Sequence, residues 1–155
     1  MITDARVLRD EYAPQELHHR DGVIDHLSTA WAPVIDGRSA EHVTIHGPSG
    51  AGKSTIVEHT LGLLERETLD LRWGMVNCIS HHSKAAALHE LLQDSGLGKG
   101  LQREGTHAAT ALDRLREYDG QFVAVLDEVD VLDDPMVTTS LYEIPNVAVV
   151  LICID

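Results

Sequence analysis

The stretch GPSGAGKST, residues 47–55, limits what this chain can fold into more than any other part of it. It satisfies G-x-x-x-x-G-K-[ST] from Gly47 to Ser54. Its glycines let the backbone wrap close to a phosphate chain with the N–H groups turned inward. Such a loop belongs between a strand and a helix, because the partial charge at the helix N-terminus completes the anion site. Both flanks are present. HVTIH (42–46) reads as a short strand, and Ile56, Val57, Thr60 and Leu64 mark one face of a following helix. In this geometry Lys53 reaches the β- and γ-phosphates, and the Ser54 hydroxyl ligates Mg²⁺. Gly47, Pro48, Ser49, Gly50, Ala51, Gly52, Lys53, Ser54 and Thr55 are the expected nucleotide contacts.

The rest of the chain continues the alternation. The segment through Pro14 reads as extended. From Asp21 onward Val23, Leu27, Ala30 and Val34 recur at helical spacing, with Pro33 expected to kink or end that helix. RWGMVNC (72–78) reads as a strand. An alanine-rich helix near 84–93 precedes a glycine-spaced stretch, 94–105. Ala108, Leu112, Leu115 and Tyr118 mark the next helix, which Asp119-Gly120 ends. QFVAVLDEVD contains a strand, Asp134-Pro135 opens a short helix, and VAVVLICID closes the chain as its most apolar strand. The last two strands are apolar on both faces, the mark of a parallel sheet covered on both sides. The expected fold is three-layer α/β, and 155 residues suffice for one domain.

VAVLDEVD supplies the partner of the phosphate loop. Its apolar run places Asp127 and Glu128 where a buried strand emerges. Asp127 is expected to hold Mg²⁺ through water, and Glu128 to orient or deprotonate an attacking water. With Lys53, Glu128 forms the expected catalytic pair. Together the two motifs point to nucleotide binding.

Charge narrows the partners. Twelve Lys+Arg against 25 Asp+Glu give a net charge of −13, which opposes non-specific binding to nucleic acid or anionic membrane. The lysines are Lys53, Lys84 and Lys99. An acidic, lysine-poor surface suits a high-salt cytosol, where self-repulsion is screened. Cys78 and Cys153 have neither metal-motif nor disulfide-framework spacing, so free thiols and a cytoplasmic chain are expected. Cys78, His81, His82 and His89 fit no closed tetrahedral zinc motif and are better read as ordinary loop and helix-face residues. Lys99 and Arg103 form an isolated basic spot, either a solvated loop or a contact to nucleic acid.

LRDEYAPQELHHRD (8–21), GPSGAGKST, VNC (76–78), VLDEVD (125–130), SLYEIP (140–145) and VVLICI follow one another along the chain. In this order they resemble the archaeal origin-recognition and cell-division-control replication initiators, a clade of AAA+ ATPases. The likeness covers essentially the whole chain. It implies ATP as the nucleotide, with Tyr12, Pro14 and Arg20 helping to form the adenine pocket. It implies that Asn77, at the end of the second strand, restrains Glu128, and that the 94–105 stretch with Lys99 and Arg103 is a DNA-touching insertion.

The resemblance also implies the sheet order five-one-four-three-two, with VAVVLICID as strand four. That strand would end at a polar sensor residue, at or just after Asp155. Residues 1–155 would then be the N-terminal part of an AAA+ domain, truncated or a fragment. Strand five, the lid, the arginine finger and the winged-helix domain would be lacking.

Three functions compete. The first is an initiator-type module that binds ATP and Mg²⁺ but hydrolyses poorly alone, with weak origin-DNA binding and full-length relatives as partners. The second is a small phosphate-loop kinase, for which Arg103, Arg114 and Arg116 would have to serve as lid arginines. The third is a non-catalytic remnant acting by association.

Overall fold

The computed structural model describes residues 17–38, 40–47, 52–68, 70–101 and 107–153, with side chains from Gly22 onward. The elements in chain order are α1 (Leu17–Ile35), β1 (Val43–His46), α2 (Lys53–Glu67), β2 (Leu71–Asn77), α3 (Lys84–Ser95), α4 (Ala108–Glu117), β3 (Gln121–Asp127), α5 (Met136–Tyr142) and β4 (Val147–Cys153). A single 3₁₀ turn, Val129–Val131, follows β3. All strand pairings are parallel, in the order β1-β4-β3-β2. The closing strand therefore lies between the strand that leads into the phosphate loop and the strand that carries Asp127.

Side-chain alternation along the central strands sorts the core into two halves. Val123 and Val125 of β3 and Ala148, Val150 and Ile152 of β4 pack with Ile24, Leu27, Trp31, Ile56, Val57, Leu61 and Leu64 from α1 and α2. Phe122, Ala124 and Leu126, with Val147 and Val149, pack with Leu88, Leu91, Leu92, Leu112, Leu115 and Leu141 from α3, α4 and α5. Helices thus cover both faces, and the three layers follow directly from strands that are apolar at every position. β1 is an edge strand and alternates buried with exposed.

β2 is the other edge, and two devices fit it to the fold. Gly74 lets the α3 backbone approach so closely that a Cβ on it would stand 2.5 Å from the Leu91 carbonyl oxygen. Asp94 turns back from α3, and its carboxylate accepts the Met75 N–H at 2.7 Å, occupying a donor of the strand edge.

Three local boundaries differ from the sequence expectation. α1 is already helical at Leu17, and it runs two residues past Pro33 to Ile35. The missing Pro33 N–H frees only one carbonyl so close to the end. Gly37, at φ 79°, then turns the chain while the Pro33 carbonyl accepts the Asp36 and Arg38 N–H groups at 3.1 and 2.9 Å. α3 runs on to Ser95 and ends at Gly96, at φ 86°, so Asp94 and Ser95 belong to a helix. Asp134 does open α5, its carboxylate accepting the Met136 N–H at 2.9 Å. The extended reading of the first 14 residues lies outside the described residues.

Candidate nucleotide-binding site

The phosphate-loop segment leaves β1 with a last ladder bond, the Gly47 N–H to the Cys153 carbonyl at 3.2 Å. It re-enters described structure at Gly52, whose left-handed backbone (φ 80°) caps α2. Only glycine takes this conformation at no steric cost. The Lys53 ammonium donates to the Gly47 carbonyl, so the first residue of the helix folds back over the end of the strand. Pro48, Ser49, Gly50 and Ala51 lie outside the described residues. Ser54 and Thr55 sit in the first turn of α2, where the N-terminal partial charge is strongest.

Strand alternation aims the acidic partner at that turn. Asp127 shares parity with Val123 and Val125, whose side chains face α2, and Asn77 shares parity with Trp73 and Met75 on the same face. Asn77 and Asp127 are direct neighbours in the β2–β3 ladder, and Asp127 stands level with Ile152, which in turn is level with Ile45. The carboxylate is therefore one intervening strand away from the end of β1. Ser54, Asn77 and Asp127 line one cleft of about 400 Å³, together with Glu58, Glu90 and Asp94.

Burial raises the Asp127 pKa above the ordinary carboxylate range, and the Glu128 N–H and the charge of Lys53 pull in the opposite direction. A carboxylate partly stripped of water and within the field of a lysine is a ready cation ligand. With the Ser54 hydroxyl in the same cleft, the donor set is the all-oxygen kind that Mg²⁺ prefers. The residues present fit the ion.

Glu128 is held in the left-handed region, φ 55° and ψ 47°, which is strained for a residue with a side chain. One of its carboxylate oxygens, Oε2, is buried without a hydrogen-bond partner among the described residues. Strain and an uncompensated polar atom together mark a position that serves something other than stability. The Asn77 carboxamide oxygen accepts the Ile79 N–H at 2.8 Å. No hydrogen bond joins Asn77 to Glu128 in this arrangement.

The remaining candidates fall in different places. Tyr12, Pro14, Arg103 and Asp155 lie outside the described residues, and Arg20 is on α1 with its side chain undescribed. Lys99 is exposed, in a segment tied down by the Arg114 guanidinium, which donates to the Leu97 and Lys99 carbonyls at 3.0 and 3.2 Å. Cys78 is buried, its thiol pushed up to about 12 by burial and then by Asp127 and Glu128. His81 lines the cleft, His82 pairs with Asp133 and His89 is buried on α3. Among the described residues no three His, Cys, Asp or Glu side chains converge on a metal position.

Sequence reasoning missed Glu58, Glu90 and Asp94. Glu58 was within reach, since it stands one helical turn after Ser54. Glu90 and Asp94 were not, because they enter the cleft only by reaching around the edge of β2.

Gly47 at the end of β1 and Gly52 at the start of α2 thus bound a segment one strand away from Asp127, the placement that a phosphate-loop reading requires. The profile of the AAA ATPase domain family matches residues 16–148, and the chain belongs to that family. It is 38% identical over 156 residues to ORC1-type DNA replication protein 1 of Halobacterium salinarum, covering 100% of this chain and 51% of the relative. Against ORC1-type DNA replication protein 9 of the same organism the figures are 38% over 153 residues, 98% and 43%. The chain thus spans about half the length of these relatives. Among solved structures it resembles the Aeropyrum pernix ORC1 protein in complex with DNA (TM-score 0.70, 24% identity, 97% of this chain and 42% of that one). It resembles Cdc6p from Pyrobaculum aerophilum equally well (TM-score 0.70, 20% identity, 98% and 43%). The likeness to archaeal replication initiators read from the sequence is thereby established, and so is the three-layer AAA+ fold. Among the described residues no helix is long and apolar enough to cross a membrane.

Proposed function

We propose that this chain is an ATP- and Mg²⁺-binding module of the replication-initiator type. The observation that carries the reading is the shared cleft of Ser54 and Asp127, with the charge of Lys53 felt at Asp127. In this reading the loop N–H groups and Lys53 hold the phosphates, and Ser54 and Asp127 hold Mg²⁺ between them. Tyr12, Pro14 and Arg20 contribute to the adenine pocket. The ion, when bound, neutralises charge between the outer phosphates. Glu128 orients or deprotonates the attacking water. The restraint by Asn77 that the family resemblance implies is not made in this arrangement, where its carboxamide oxygen accepts the Ile79 N–H.

Hydrolysis by this chain alone is slow in our reading. The described lining of the cleft contains no arginine. Phosphoryl transfer to water in this class depends heavily on such a charge, supplied in cis or in trans. Association with full-length relatives is one route to it. Lys99 and Arg103 are the proposed DNA contacts, and a net charge of −13 keeps that binding weak at ordinary salt.

The test is thermal unfolding in high salt with and without Mg-ATP, for the native chain and Lys53→Ala. A ligand bound only by the folded state adds about 2.7 kcal/mol at a hundredfold excess over Kd. For a chain of this size that corresponds to a rise in Tm of about 5–11 °C. The rise is expected in the native chain and not in the variant. Equal melting with and without Mg-ATP refutes the reading.

A further inference from the structure

Two loops meet above the sheet next to the cleft. One follows β2 and contains His81 and His82; the other follows β3 and contains Glu128 and the 3₁₀ turn. At their near ends they are joined by strand pairing, Asn77 level with Asp127 and the Cys78 N–H donating to the Asp127 carbonyl at 2.9 Å. At their far ends they are joined again. The Asp133 N–H donates to the His82 carbonyl at 2.9 Å, and the His82 imidazole Nδ1 donates to the Asp133 carboxylate at 2.7 Å. Residues 78–82 and 128–133 therefore form a closed ring, fastened at both ends.

Glu128 sits inside that ring in a left-handed conformation, and such strain persists only where the surroundings over-determine it. The near end is ordinary sheet. The far fastening is the part that sequence choice adds, through one side-chain pair and the backbone bond beside it. We propose that His82 and Asp133 are positioning residues for the acidic end of β3. By closing the ring they hold the Asp127–Glu128 turn in the geometry that engages the nucleotide-bound cation. The inference rests on the nucleotide-binding reading above and adds to it two residues that touch neither nucleotide nor ion.

Both side chains are more than half exposed, at 58% and 65%. An exposed pair makes a modest difference, and the expected effect is accordingly about threefold. Being at the surface, the pair can be removed without opening the core.

The experiment compares ATP affinity with and without Mg²⁺ in the native chain, His82→Ala, Asp133→Ala and His82→Gln, with Asp127→Asn as the reference for complete loss of the Mg²⁺ effect. His82→Ala and Asp133→Ala are expected to bind Mg-ATP about threefold more weakly while Mg²⁺-free binding is unchanged. His82→Gln, which retains an N–H donor for the carboxylate, is expected to recover most of the difference. Affinities equal to the native chain's overturn the proposal. So does an equal loss with and without Mg²⁺, which a merely structural role produces. A native chain that binds no nucleotide under either condition refutes the functional reading itself, and the inference with it.

Discussion

Replacing Gly74 by alanine adds one methyl group to an edge strand at a point where the neighbouring helix leaves no room for it. The new Cβ would stand 2.5 Å from the Leu91 carbonyl oxygen and 3.3 Å from both the Leu91 carbonyl carbon and the Ser95 Cβ. Real Cβ atoms essentially never come within 3.0 Å of a neighbour, so β2 and α3 must part by about 0.5 Å or more. The obstacle is helix backbone, which has no rotamer to change. β2 cannot retreat either, because seven consecutive residues are in register with β3. α3 therefore moves, with Leu88, Leu91 and Leu92 in its buried face.

Overpacking of this kind costs about 1–3 kcal/mol. For a chain of this size the loss in Tm is about 2–12 °C. α3 also carries Glu90 and Asp94 into the cleft, so the Mg-ATP-induced shift in Tm is expected to shrink as well. The control is Gly62→Ala on α2, where a Cβ meets nothing within 4 Å. A helical glycine replaced by alanine gains about 0.5–1 kcal/mol, so that variant should melt about 1–4 °C higher. Thermal melts of the two variants decide the matter. If Gly74→Ala melts with or above the native chain, the close approach of α3 to β2 is not a constraint on this fold.

Asp127→Asn should raise the melting temperature of the nucleotide-free chain while reducing the response to Mg-ATP to that seen with ATP alone. Burial raises the folded-state pKa of Asp127 above its ordinary 3.8. The ionised form therefore costs stability at neutral pH, a cost relieved only as pH falls through the folded pKa. A lower melting temperature for the variant without ligand contradicts this sign. His42 predicts a loss in mild acid. Its imidazole accepts the Val149 N–H at 3.0 Å, and burial holds its pKa below the ordinary 6.5, so stability should fall as pH drops through that value. His42→Gln, whose amide oxygen can accept the same bond, should show a shallower fall in Tm between pH 7 and 5.5. Equal slopes rule out His42 as the source. Cys78, fully buried with its thiol near 12, should resist alkylation at pH 8 in the folded chain, while the partly exposed Cys153 reacts first. Peptide mass mapping after a timed exposure to iodoacetamide reads this directly, and early modification of Cys78 counts against the packing around it.

The layers were legible because each depended on local pattern. VAVLD and VAVVLIC are apolar at every position before their ends, and a strand with no polar face has nowhere to lie except inside a sheet covered on both sides. The phosphate loop was legible because its chemistry is compressed into nine consecutive residues. The place of Asp127 at the end of β3 was legible because an unbroken apolar run stops at the residue where the strand leaves the core, and the phosphate-loop pattern upstream gave that acidic end a candidate use. The one-residue pitch of strand alternation then did the placing. It sends Asp127 and Asn77 toward α2, and a slip of one position would have sent both to the α3 face.

What stayed hidden depends on contacts between distant parts of the chain, where a residue's role is set by its partner and not by its neighbours in sequence. His82 read as one of ten scattered histidines, and only the fold brings it to Asp133, 51 positions away. His42 read as the first letter of a strand, yet it extends the edge of the sheet by accepting a backbone N–H 107 positions away. Asp94 read as the start of a glycine-spaced loop, while the structure gives it to a helix and uses it to occupy a donor of β2. Each is a polar side chain completing a backbone hydrogen bond or joining two loops. Such residues leave no periodic trace, because neither the 3.6-residue nor the 2-residue repeat records which backbone group lacks a partner. In this chain two of those unrecorded bonds, Asp94 to Met75 and His82 to Asp133, lie beside the acidic end of β3, where the nucleotide reading needs the geometry to be most firmly held.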